Sequence, residues 1–344
     1  MLQTNWLRVL PWRVLGHGRR ALVRVGVCRS STALIAARVQ FDSQAGCSVE
    51  QLEAVDLRDQ REQAAAEQLA RSGILHNAPV NLVLSAEHYN TYPLPTPTVP
   101  QAEMRDALRW KLRDVLPYAP EDAAIDFVRL GHGADSNTPD TLFAVAAPRR
   151  AVAQAVAPLL AVGADVQAVD IAEMAQRNLL TRLPGAEEGR ALLGLDESSS
   201  ALLTVVHQGA LCFARRIQIP RSLGAEDEDP EHVATRIATQ VQRSLEVVER
   251  QSGLAPVRTV WIGPHPYCAL IARCTTEQTG LECLQLDLQA ELRFAATVRE
   301  LPPEQACAAP IAIGAALRDE RPAAAIGSAP QGSALSWLLK LKAA

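Results

Sequence analysis

The chain has 344 residues, 48% hydrophobic content and a formal net charge of −4, which is longer than one compact core usually holds and predicts two lobes. Acidic and basic residues are mixed along it, so no broad basic face marks a nucleic-acid binder. No apolar run approaches the ~20 residues needed to cross a bilayer. Its seven cysteines, at 28, 47, 212, 268, 274, 283 and 307, contain no CxxC pair and cannot all pair off, so reduced thiols in the cytoplasm are expected.

Residues 1–20, MLQTNWLRVLPWRVLGHGRR, read as a basic, aromatic tail, with Arg8, Pro11 and Arg13 where a signal peptide needs an unbroken apolar segment. Apolar runs at 21–28 and 31–41 predict a hairpin turning at Arg29-Ser30. An alanine-rich helix is expected over 49–72, closed by Gly73, and a short buried strand over 81–85. Residues 92–100, YPLPTPTVP, hold too many prolines for a helix or a central strand and read as a connector. Beyond it Met104, Leu108, Leu112 and Val115, with Ala107 and Leu116, share one helical face, and Leu116-Pro117 stops the helix. Strands at 124–130 and 141–147, a helix at 149–162, a strand at 166–169 and a helix at 171–180 lead to a boundary at Leu183-Pro184-Gly185.

A second run of alternating elements follows. The stretch GLDESSSALLTVVHQGALCFARR (194–216) has apolar arms at 201–206 and 210–213 around His207-Gln208-Gly209, which predicts a hairpin, with a third strand at 212–219. The acidic loop 226–231 reads as a solvated cap of the next helix, or as a docking site for a basic peptide. Val233, Ile237, Val241, Leu245 and Val248 make that helix long and amphipathic. A strand at 259–262, a helix at 267–280, a strand at 281–286 and a helix at 306–318 complete the pattern. Residues 320–344 read as a flexible tail.

This order resembles the type IV pilus branch of the actin-like ATPase superfamily, PilM and the MSHA pilus biogenesis protein MshI. EMRDALRWKLRDVLPYAPEDAAIDF is its most specific part, supported by VDIAEMAQRNLL, ATRIATQVQRSLEVVE and AIGAALRD in the same order. The resemblance implies an α/β, two-lobed actin-like (ribonuclease H-like) ATPase fold with a small inserted subdomain in the first lobe. The expected limits are a tail at 1–20, a first lobe at 21–183 with the insert at about 101–150, a second lobe at 188–319 and a tail at 320–344.

Nucleotide-binding members use two hairpins, each with an acidic residue and close backbone amides, because phosphate needs N–H donors and Mg²⁺ needs carboxylate or ordered water. Here Cys28 stands where the first aspartate is expected, and Arg29-Ser30 where the glycine is. In the second hairpin, counting back from Gly209 puts the aspartate position on Leu195 and the glycine on Glu197; a one-residue slip restores Asp196. The third loop reads GPHPY and keeps only Gly263. The expectation is a pseudo-ATPase without bound cofactor. If ATP and Mg²⁺ are retained, the contacts fall to Asp196, Ser198, Ser199, Ser200 and Gly263; otherwise these residues only close a turn.

By resemblance, the partner is the cytoplasmic N-terminal peptide of an inner-membrane pilus assembly protein of the PilN or MshJ type, with the pilus motor ATPase as a further candidate. Trp110, Leu116 and Tyr118 are the partner-binding residues assigned, although an aromatic on an amphipathic helix also fits a core. LPWR, residues 10–13, resembles the motif that such partners present, so the tail is a candidate occupant of the same groove. Competing readings are an ATP-binding switch or ATPase and a cytoplasmic scaffold of a type II secretion-like machine. No histidine spacing or GxSxG elbow supports a metal site or a hydrolase.

Overall fold

The structure, a computed structural model, describes residues 22–42, 46–131, 140–184, 188–196, 200–219, 229–252 and 256–318. It begins with an antiparallel meander of β1 (Leu22–Arg29), β2 (Ala33–Asp42) and β3 (Gly46–Asp56), followed by α1 (Glu62–Ser72) and β4 (Pro79–Val83). An excursion then builds β5 (Asn90–Pro95), α2 (Met104–Leu112), β6 (Ala123–Arg129) and β7 (Thr141–Pro148). The chain returns through α3 (Arg149–Ala161), β8 (Asp165–Asp170) and α4 (Ala172–Leu180).

The second half repeats the plan. β9 (Gly189–Leu195), β10 (Ser200–His207) and β11 (Ala210–Gln218) form a meander, followed by α5 (Pro230–Ser252), β12 (Val257–Ile262), α6 (Cys268–Thr279) and β13 (Glu282–Gln285). α7 (Leu288–Glu291), β14 (Arg293–Phe294), α8 (Pro303–Ala306) and α9 (Ala309–Ala316) close the described chain. The main sheets run β14-β3-β2-β1-β4-β8 and β11-β10-β9-β12-β13. In both, the first strand pairs antiparallel with the second and parallel with the fourth. The excursion is a separate three-stranded sheet, β5-β7-β6, over its own core of Met104, Leu108, Leu112, Phe127 and Leu142.

Several expectations change. Residues 49–56, expected as the start of a helix, belong to strand β3: it hydrogen-bonds along β2 from Asp42↔Gly46 to Ala33↔Asp56, and that tertiary pairing outweighs local helix propensity. Only 62–72 stays helical, burying Ala65, Ala66 and Leu69 and ending at Gly73 in the left-handed region. The proline connector begins as strand β5, which is tolerated because β5 lies at a sheet edge where proline breaks no ladder. The arms expected at 210–213 and 212–219 are one strand, β11. Its hairpin turns on Gln208 and Gly209, both at positive φ (48° and 75°), as a tight two-residue loop requires. Val115, expected on the buried face of α2, lies beyond the helix end and is 57% exposed.

The halves are joined by exchanged helices. α4, at the end of the first half, packs on β9, β10 and β11; α9, at the end of the second, packs on β1, β2 and β4; and the two cross each other. Three glycines permit the approach. A Cβ on Gly26 in β1 would overlap the Ala312 carbonyl of α9, one on Gly194 in β9 would overlap the Gln176 amide of α4, and one on Gly314 would overlap the Ala175 carbonyl. Around the crossing, Ile35, Leu179, Leu180, Leu192, Trp261 and Ile313 form one core spanning both sheets. Among the described residues no helix is long and apolar enough to cross a membrane. Gly314→Ala must push two helix backbones apart, so it should cost about 3 kcal/mol in denaturant unfolding, at the upper end of overpacking penalties; a cost below ~1 kcal/mol would show that the crossing is not closely packed.

Candidate functional site

Three turns end strands beside the exchanged helices. In the first, the Cys28 thiol is 4% exposed and donates to the Ala308 carbonyl at 3.5 Å, under the start of α9. Arg29 turns away to ion pairs with Glu62 (2.7 Å) and Glu87 (3.6 Å). The Ser30 hydroxyl oxygen accepts from the Ala33 N–H (3.0 Å) and the Thr32 N–H (3.3 Å), so it serves the turn itself.

The second turn repeats the first in a different chemistry. Gly194-Leu195-Asp196 matches Gly26-Val27-Cys28, since each glycine admits the helix lent by the other half and the residue two positions on ends the same strand face. Leu195 is 4% exposed in the core of the second sheet, whereas Asp196 is exposed at the turn. Of the two alignments left open, this places Asp196 opposite Cys28. Its carboxylate accepts from the Ser200 N–H at 2.9 Å and from the Ser200 hydroxyl, and its own N–H donates to the Ser200 carbonyl at 3.0 Å. Ser198 and Ser199 lie outside the described residues.

The third turn packs against the second. The Gly263 N–H donates to the Leu193 carbonyl at 2.9 Å, and a Cβ there would lie 3.3 Å from that carbonyl oxygen and 3.4 Å from the Gly194 Cα, a close but not forbidding contact. His265 is half-buried against Tyr267, and its Nδ1 accepts the Tyr267 N–H at 3.2 Å, which requires that nitrogen to be unprotonated. Burial lowers its pKa, with Asp196 opposing.

On α2, the helix of the small-sheet unit, Trp110 is 66% exposed, with the Arg113 guanidinium 5.1 Å from its ring centroid. Leu116 and Tyr118 are half-buried against the core of this unit. Burial, and secondarily Tyr92, push the Tyr118 phenol up to about 12, and its buried hydroxyl has no partner among the described residues. The structure thus separates the assigned residues into two places: Asp196, Ser200 and Gly263 at the second and third turns, and Trp110, Leu116 and Tyr118 on and just after α2, beside the small sheet.

A third cluster escaped the sequence reading. Glu173, in the first turn of α4, is 2% exposed. One carboxylate oxygen accepts the Tyr89 hydroxyl at 2.6 Å and the other pairs with Arg216 of β11 at 3.0 Å. The Tyr89 oxygen in turn accepts from the Ala172 N–H (3.1 Å) and from Arg216, whose guanidinium also lies over the ring at 5.1 Å. Burial, then Glu173, hold the Tyr89 phenol protonated, well above the usual tyrosine range. The entrance to the small sheet, the helix lent by the first half and the edge strand of the second meet in this one polar network. The signal available in the sequence was a glutamate on the apolar face of a helix and an Arg-Arg pair ending a strand. Burial pushes the Cys212 thiol up to about 12, which disfavours its thiolate form.

Duplicated sheets of this strand order, crossed by exchanged helices and interrupted by a small third sheet, define the actin-like ATPase fold. The chain is similar in structure to PilM in a PilM-PilN type IV pilus biogenesis complex, with a TM-score of 0.61, 18% identity, and coverage of 86% of this chain and 97% of that one. It also matches the cytoplasmic domain of EpsL, an inner-membrane component of the Vibrio cholerae type II secretion system (TM-score 0.45, 15% identity, coverage 84% and 94%). A Bacteroides thetaiotaomicron protein with an actin-like ATPase fold matches at TM-score 0.45 and 7% identity, covering 79% and 92%. No protein-family model and no curated protein matches the sequence.

Two outcomes are expected. Glu173→Ala leaves Arg216 and the Tyr89 hydroxyl without their carboxylate and should cost about 3 kcal/mol in urea unfolding; combined with Tyr89→Phe the losses should fall short of additive, and strict additivity would contradict the network. For His265 the fold holds the neutral ring, so its contribution is complete above the ordinary histidine value of about 6.5 and is lost as pH falls below it. Urea midpoints of the native sequence should therefore drop further between about pH 7.5 and about pH 5 than those of His265→Gln; equal drops would show that the ring is not held neutral.

Proposed function

We propose that this chain is an actin-fold adaptor of type IV pilus biogenesis that docks the cytoplasmic segment of an inner-membrane assembly protein and does not turn over ATP. The observation that carries the docking reading is Trp110. A large aromatic, 66% exposed and braced by Arg113, stands on the small sheet of a fold shared with PilM, a protein solved in complex with PilN. An exposed aromatic is the residue type that anchors interfaces, and Leu116 and Tyr118, half-buried against the core of the same unit, follow it a few residues along the chain.

The absence of turnover is supported by the turns. Cys28 is packed under Ala308 where a carboxylate would have to order Mg²⁺ water, and the Asp196 carboxylate is engaged by Ser200. The finer reading, that the machine is of the MSHA type and the partner of the MshJ type, rests on the sequence resemblance in the stretch EMRDALRWKLRDVLPYAPEDAAIDF. A cytoplasmic place, at the membrane only through that partner, follows from the same reading.

A labelled peptide copying the cytoplasmic N-terminal segment of the PilN-type protein from the same organism tests this. It should bind the full chain, and Trp110→Ala should weaken binding by about tenfold or more, the loss expected of an aromatic anchor, without moving the thermal midpoint. Equal affinity of the two proteins would remove Trp110 from the interface.

A further inference from the structure

Away from α2, the small-sheet unit reaches the second half of the molecule at two places on one strand. Gly131, two residues past β6, donates its N–H to the carbonyl of Leu211, the second residue of β11, at 2.7 Å. The approach leaves no room for a side chain: a Cβ on Gly131 would lie 2.8 Å from the Ala210 Cβ and 3.1 Å from the Cys212 Sγ. Tyr89, the residue before β5, meets Arg216 of the same strand, which donates to its hydroxyl and lies over its ring at 5.1 Å. Glu173 of α4 completes this second contact, accepting from Tyr89 at 2.6 Å and pairing with Arg216 at 3.0 Å.

From Leu211 to Arg216 the strand runs about 16 Å, at ~3.3 Å per residue. One contact is a pivot, whereas two contacts this far apart on one strand fix its direction. The two seams of the small-sheet unit also differ in kind. Toward the first half it sits on an apolar cluster of Leu84, Tyr89, Ala147, Val152 and Ile171, and apolar burial is non-directional, so it survives small shifts. Toward β11 it is held by hydrogen bonds and an ion pair, and hydrogen bonds weaken steeply once the angle at the hydrogen falls below ~120°. The crossing of α4 and α9 confines relative motion of the halves to rotation about it. Any such rotation carries β11 past the small sheet and strains both contacts together.

We propose that the small-sheet unit is a clamp: seated on the first half, it closes on β11 at Leu211 and at Arg216 and so fixes the angle between the two halves about the helix crossing. The two contacts act as one device, because neither keeps its geometry once the strand swings away from the other. One consequence rests on the reading that α2 docks a partner. A molecule held on α2 is then attached to the part that sets the angle, so docking and clamp closure are coupled, each shifting the other by the same factor.

Hydrogen exchange of the Gly131 amide in the full chain reads the clamp directly, since that N–H is the donor to Leu211. Tyr89→Phe keeps the ring and the pair of Glu173 with Arg216, and removes only the hydroxyl. It should speed exchange at Gly131 by about tenfold or more while amides of α9 at the crossing keep their rates. A second variant opens the clamp from its other end: Gly131→Ala sets a Cβ against Ala210. Combined with Tyr89→Phe, its loss in urea midpoint should fall short of the sum of the two, although substitutions about 16 Å apart are ordinarily additive. Unchanged exchange at Gly131, exchange raised equally in α9, or strictly additive losses would each overturn the clamp. The PilN-type peptide should in turn change Gly131 exchange about twofold or more when bound. A bound peptide that leaves the rate unchanged would overturn the coupling, whereas a peptide that does not bind fails the docking reading alone, because the first two measurements need no partner.

Discussion

The crossing of α4 and α9, closed by the absence of a side chain at Gly314 over the Ala175 carbonyl, is the contact on which the rest of the molecule depends. Neither main sheet covers its own inner face; each borrows a helix from the other half of the sequence. One apolar core therefore extends from Ile35 and Val39 on the first sheet through Leu179 and Ile313 to Leu192 and Trp261 on the second. Two sheets tied this way cannot separate without exposing that core, which limits their relative motion to adjustments about the crossing.

The chemistry of the turns follows from this packing. The start of α9 brings the Ala308 carbonyl onto Cys28, and the start of α4 brings Glu173 between Tyr89 and Arg216. Buried polar groups need partners inside the protein, and Cys28, Tyr89 and Glu173 find theirs across element boundaries. A second bridge of the same kind, Arg318 to the 5%-exposed Asp170 at 2.6 Å, fixes the end of α9 to the end of β8. Polar residues near the turns thus hold the two halves in register.

The duplicated α/β plan was legible because its signals are local: the amphipathic spacing of α5, the Gln208-Gly209 turn and the Leu112 to Pro117 stop of α2 each act within a few residues. Strand β3 was not legible, because only its pairing with β2 distinguishes it from a continuation of α1. β5 hid behind its prolines, which its edge position allows. The side chains of the candidate sites were visible as residue types, but their roles depended on burial. Trp110, on an amphipathic helix where an aromatic is more often core, lies 66% exposed on α2, and the Tyr89, Glu173 and Arg216 network joins residues up to 127 positions apart. The Gly26 and Gly194 correspondence, which settles Asp196 over Leu195 as the turn residue, requires knowing which helix lies above each strand.

Thermal unfolding of the full chain with and without millimolar MgATP tests whether an actin fold here serves docking, as proposed, rather than nucleotide turnover. A ligand at ~100 times its dissociation constant stabilises the folded state by about 2.7 kcal/mol, an effect visible as a raised midpoint. A docking fold without nucleotide turnover should give superimposable unfolding curves in the presence and absence of nucleotide. A clear upward shift, abolished by Asp196→Ala, would contradict it and restore a nucleotide-dependent switch at the second turn.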